Sequence, residues 1–126
     1  LLPLTDTLPV VLDLHHHWVA TGEYIRPDDP RIGTVLASWR GVRPMAHVSS
    51  PREEFQQIAP DALLDRAALL EAGFNGRDLR AHSARLWNPA HAAWARSHLV
   101  WTDLEVEAKD KNLASAEFAA SMVRAA

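Results

Sequence analysis

Cysteine is absent from the 126-residue sequence. That excludes disulfides and thiolate metal sites, so any bound metal must be held by His, Asp, Glu and water. A nitrogen and oxygen site of this kind suits Mn, Mg, Fe or Zn. Long apolar runs are also missing, none approaching the roughly 18 residues that read as a membrane span. The opening "LLPLTDTLPV" lacks the basic region and cleavage site of a signal peptide, which makes a cytoplasmic location the expectation. Nor is there an excess of positive charge. Thirteen Lys and Arg against 16 Asp and Glu give a formal net charge of -3. This argues against nucleic-acid binding by bulk charge alone and leaves room for a local basic groove.

What is present fits one globular domain over residues 1–126, with 48% hydrophobic residues and no internal repeat. Residues 10–14 form a continuous apolar run with one Asp, the pattern of a strand covered on both faces. Asp29 and Pro30 open a helix in which Ile32, Val35, Leu36 and Trp39 recur at helical spacing, and Gly41 stops it. "RPMAHVSS" reads as a second strand. An amphipathic helix is expected over residues 60–71, closed by Gly73, and another from Pro89. "TDLEVEAK" reads as a third strand by its alternation, and an Ala-rich helix follows over residues 111–124. Strands alternating with helices imply an α/β fold with right-handed crossovers and a parallel sheet.

Each expected strand ends in residues that can ligate metal. Asp13 and the run His15, His16, His17 follow the first, His47 lies in the second and Glu107 ends the third. Parallel α/β folds form their sites where strands terminate. Singly, each residue has a plainer reading, as a hydrogen-bonded core group or a solvated loop. Together with Asp103, Glu105 and Glu107 alternating on one strand face, they point to a cation, because unpaired buried carboxylates are costly. The competing reading turns that face to solvent and leaves Leu104 and Val106 inside.

Four segments, "VVLDLHHHW", "RPMAHVSS", "RAHSARLWN" and "TDLEVEAKDKN", resemble in order four landmarks of the UV damage endonuclease family. These are an Asp-x-x-His strand end, a Lys-x-His-x-Ser strand, a His-Ser/Ala-Asp-Tyr loop and a terminal Asp-x-Met-x-Glu-Ala-Lys-Asp-Lys block. The last is the most specific, with "EAKDK" intact from Glu107 to Lys111. The resemblance implies a (β/α) TIM-type barrel, here only its later units, holding divalent metals, with manganese expected and Mg, Zn and Fe as alternatives. Its implied activity is cleavage of damaged double-stranded DNA on the 5′ side of ultraviolet photoproducts. The implied ligands are Asp13, His16, His47, His82 and Glu107, with Asp13, His47 and Glu107 at the chemistry and His15 and His17 as orienting or solvent-facing neighbours. Arg52, Arg80, Arg85 and Lys109 are candidate DNA contacts.

The chain departs from the family pattern in three places. Met45 stands where the family has a lysine thought to become carboxylated, and Glu105 stands where it has Met. Glu105 is therefore a further candidate at the metal, restoring from one strand a carboxylate lost from its neighbour. The loop reads "HSARLW", with Ala84 and Arg85 where an acidic and an aromatic residue are expected. A closed eight-stranded barrel also takes roughly 250 residues. The expectation is thus a partial barrel completed by an N-terminal half or a second chain, active as a nuclease when complete. The alternatives are a non-catalytic module that complements or scaffolds another chain, and another metal-dependent TIM barrel, against which "EAKDK" argues.

Overall fold

Two four-residue strands, β1 (Met45–Val48) and β2 (Asp103–Val106), pair in parallel with Met45 opposite Asp103 and His47 opposite Glu105. The computed structural model describes residues 4–125, with side chains described through Ser121. The N–H groups of Asp103 and Glu107 donate to the carbonyls of Pro44 and Val48 at 3.0 and 2.8 Å. By alternation, the backbone groups of Leu104 and Val106 point to the opposite, open edge. Arg43 clamps the start of the pair, its Nε 2.7 Å from Asp103 and its Nη2 donating to the carbonyls of Leu99 and Thr102.

The expected first strand is reduced to one parallel bridge, Asp13 to His47, with the His47 N–H donating to the Leu12 carbonyl at 2.9 Å. Two interactions cut it short. The Val10 N–H donates to Ser38 Oγ, and its carbonyl accepts from Trp39 Nε1, so non-strand groups occupy the ladder positions. Asp13 then caps a helix, accepting from the His16 N–H at 2.8 Å. The histidine run expected after a strand end is consequently the first turns of that helix, α1 (Leu14–Thr21), which stops at Gly22 with φ 77°.

Asp or Asn caps each of the next four α-helices as well. Asp29 caps α2 (Pro30–Ser38), Asp65 caps α3 (Arg66–Glu71), Asn75 caps α4 (Gly76–Arg80) and Asn88 caps α5 (Pro89–Ser97). The last helix is α6 (Asn112–Ala125). Arg31 donates to Asp29 and holds its carboxyl down at about 2. The helix expected over residues 60–71 forms only at its end. The carbonyls of Ala62 and Leu64 are taken by Asn88 Nδ2 and the Tyr24 hydroxyl, at 2.7 and 2.9 Å, so the preceding residues stay irregular. Among the described residues no helix is long and apolar enough to cross a membrane.

Strand alternation divides the sheet into two faces. Ala46, Val48, Leu104 and Val106 pack with Leu14, Ile32, Val35, Ala95, Trp101 and Phe118 in one apolar cluster. Met45, His47, Asp103 and Glu105 occupy the other face, which is open. A second cluster joins α1, α3 and α4 through Trp18, Leu69 and Leu79, with Phe55 at its centre. Buried histidines tie these layers together. His98 Nδ1 accepts from Trp101 Nε1 while its Nε2 donates to the Ile25 carbonyl, and His91 Nε2 donates to the Ser49 carbonyl at 2.8 Å.

Phe55 is fully buried with its ring 4.8 Å from that of Phe74 in an edge-to-face contact. Phe55→Ala is expected to lower unfolding free energy by about 3–5 kcal/mol, measured by denaturant titration. Acid should also destabilise the fold. Burial pushes the His91 imidazole down to about 4 from 6.5, so between these values the unfolded chain binds the extra proton. His91 therefore contributes stability above pH 6.5 that is lost as pH falls toward 4, on the order of 3 kcal/mol. Unfolding curves at pH 7.5 and 4.5 check this, and His91→Asn should flatten the dependence.

Candidate metal centre

Three chain segments meet at the carboxyl end of the sheet. The extended segment before α1 delivers Asp13, β1 delivers His47, and the residue following β2 is Glu107. Each offers one ligand atom such that all three atoms lie within 4.8 Å of one another. His47 Nδ1 is 3.0 Å from Glu107 Oε1 and 3.9 Å from Asp13 Oδ2. Two carboxylates facing one imidazole, without sulfur, form a donor set matched to Mn, Mg, Fe or Zn. The three side chains are partly buried, between 22% and 32% exposed. The site is thus reachable from solvent yet held by the fold.

Asp13 uses its two oxygens differently. Oδ1 caps α1, while Oδ2 faces His47 and lies 2.6 Å from His16 Nδ1. His16 therefore grips the Asp13 carboxylate and turns its other ring nitrogen away from it. His82 stands beside His16, their ring centroids 6.0 Å apart, and outside the group of three. Its loop is held from both sides. Ser83 N–H donates to the Ser50 carbonyl, and the N–H groups of Lys109 and Asp110 donate to the carbonyls of Ser83 and Ala84. The five expected ligands thus lie in one region, with Asp13, His47 and Glu107 in mutual ligand range and His16 and His82 adjacent.

Glu105 sits on the same face as His47, with Oε2 3.2 Å from Nε2, the ring nitrogen turned away from Asp13. Both sequence readings of β2 describe part of the outcome. Leu104 and Val106 are packed inward, and the acidic face is half open, with the Glu105 side chain 52% exposed, yet it meets His47. Met45 lies on this face, exposed and opposite Asp103.

The remaining histidines of the run are not solvent-facing. His15 is fully buried between His16, His82 and Trp18, neither ring nitrogen has a hydrogen-bond partner among the described residues, and burial pushes its imidazole down to about 4. His17 Nε2 lies 2.8 Å from Glu23, which also receives Arg31 at 2.6 Å. Sequence reasoning did not pick out Glu23 or Arg31, and no motif marks them.

Of the four candidate DNA contacts, two are engaged within the protein. Arg52 pairs with Asp78 at 2.8 Å and Glu54 at 3.3 Å, and Arg85 pairs with Asp110 at 2.9 Å and with Glu117. Arg80 and Lys109 are exposed. Lys109 lies in the turn after Glu107, near enough for its charge to act on Glu54.

No curated protein and no solved structure matches this chain. The profile of one family, described as UV-endonuclease UvdE, matches residues 1–124. That match takes in Asp13, His47 and Glu107 together with the loop bearing His82, and the chain belongs to the UV-endonuclease UvdE family.

Proposed function

We propose that the chain is the metal-binding part of an endonuclease that cuts damaged double-stranded DNA on the 5′ side of ultraviolet photoproducts. The convergence of Asp13, His47 and Glu107 in a member of this family carries the proposal. Divalent ions bound there, manganese by preference, supply an activated water, neutralisation of phosphate charge and stabilisation of the leaving oxygen. Asp13 and Glu107 provide the anionic oxygens and His47 the nitrogen. His16 orients Asp13, and its outward nitrogen together with His82 extends the donor set beyond the first position. Arg80 and Lys109, both exposed, are the proposed direct phosphate contacts. Arg52 and Arg85 would have to exchange a carboxylate for a phosphate to do so.

In this proposal the two strands and the Asp13 segment are later units of a (β/α) barrel, and the rest comes from further chain or a second polypeptide. The open face carrying Met45, His47 and Glu105 is then the barrel interior. The same open face supports a second reading, a non-catalytic module that completes another chain. A DNA-processing role fits a cytoplasmic location.

Manganese titration of the 126-residue chain by calorimetry tests the site. Asp13→Asn, His47→Ala and Glu107→Gln should each weaken binding by at least the roughly 10- to 100-fold that loss of an outer partner costs. The three variants should likewise abolish cleavage of irradiated duplex by a polypeptide that includes the remaining barrel strands. Unchanged manganese affinity in all three would remove this site. Metal binding without cleavage in any completed barrel would favour the module. Lys109→Ala should weaken binding to irradiated and undamaged duplex alike and lower the salt slope by about 1, read from affinities at several salt concentrations.

A further inference from the structure

Glu105 has no counterpart among the expected family ligands, and its contact with His47 assigns it a separate task. His47 is approached by carboxylates at both ring nitrogens, Glu107 at Nδ1 (3.0 Å) and Glu105 at Nε2 (3.2 Å). Only Nδ1 faces the region where Asp13, His47 and Glu107 come within ligand range. The Glu105 carboxylate lies outside that group, against the opposite edge of the ring. A neutral imidazole offers one lone pair and one N–H, and the hydrogen bond at one nitrogen decides which atom is left to bind.

We infer that Glu105 is a positioning residue that receives the Nε2 proton of His47, fixing the tautomer and ring orientation in which Nδ1 is the metal-binding atom. This rests on the metal-site reading above. Strand register provides the arrangement: His47 and Glu105 are direct partners across the parallel pair, so their side chains leave the same face side by side. Glu105 is half exposed and can rotate into alignment with the ring N–H, which a buried carboxylate could not do freely. A carboxylate that accepts from the outer N–H of a metal-bound imidazole also raises the basicity of the ligating nitrogen. Met45, across from Asp103 on the same face, offers only a thioether sulfur, a far weaker acceptor than a carboxylate.

The test uses the full 126-residue chain with Zn²⁺ for nitrogen-detected NMR of the histidine rings and Mn²⁺ for calorimetry. In the zinc-loaded wild type, His47 Nδ1 should show the metal shift while Nε2 keeps a slowly exchanging proton. Glu105→Met should weaken Mn²⁺ binding by about 10- to 100-fold and speed exchange of that proton. Glu105→Gln retains an acceptor oxygen and should lose less than Glu105→Met. Zinc at Nε2, or wild-type affinity in Glu105→Met, overturns the inference and leaves the metal site standing. Equal losses in the Gln and Met variants also overturn it, because they make the charge of Glu105 rather than its acceptor oxygen the determinant. Failure of the wild-type chain to take up either cation overturns the metal-site reading itself and this inference with it. Because Glu105 is half exposed, folding of the variants is expected to be unchanged, and the wild-type ring spectrum decides the tautomer without any substitution.

Discussion

The register of one short parallel strand pair governs how His47, Glu105 and Glu107 are presented at the site. His47 opposite Glu105 puts imidazole and carboxylate on the open face, while Ala46, Val48, Leu104 and Val106 enter the apolar layer beneath. A slip of one residue would reverse both faces at once, burying the acids and exposing the aliphatic groups. Burial of Val48 and Ala46 and the Arg43 clamp on Asp103 both oppose such a slip. Packing on one face therefore determines the chemistry available on the other.

Much of this could be read from the sequence wherever a signal was local. The pair Asp29-Pro30 and the proline at 89 announced two helix starts, because capping side chains and proline act on the backbone of the first turn. The alternation in "TDLEVEAK" placed Leu104 and Val106 together, and strand-end reasoning named Asp13, His47 and Glu107 along with His15, His16 and His17. What escaped depended on distant partners. The run at residues 10–14 has strand composition, yet Ser38 and Trp39 claim the backbone of Val10. Residues 60–64 have helical periodicity, yet Asn88 and Tyr24 claim their carbonyls. The burial of His15 and the ion pairs of Arg52 and Arg85 likewise join residues far apart in the chain.

The departures from the family pattern have local structural accommodations. Arg85, in place of an expected aromatic residue, lies between Asp110 and Glu117 and so ties its loop to the segment leading into α6. Asp110 belongs to the "EAKDK" block, whose backbone also hydrogen-bonds the loop at Ser83 and Ala84. The most specific motif in the sequence thus supplies Glu107 to the site and, through its last residues, holds the loop that carries His82. Part of the motif is scaffold.

Asp13 joins the stability of a helix to the occupancy of the site. Its Oδ1 satisfies the first turn of α1 while Oδ2 faces His47 and His16, so one rigid carboxylate serves both. By linkage, any cation that binds only when this carboxylate is in place must also favour the closed first turn of α1. Opening of that turn correspondingly disperses the site. Amide exchange at the start of α1 is thereby a reporter of binding at atoms those amides never touch.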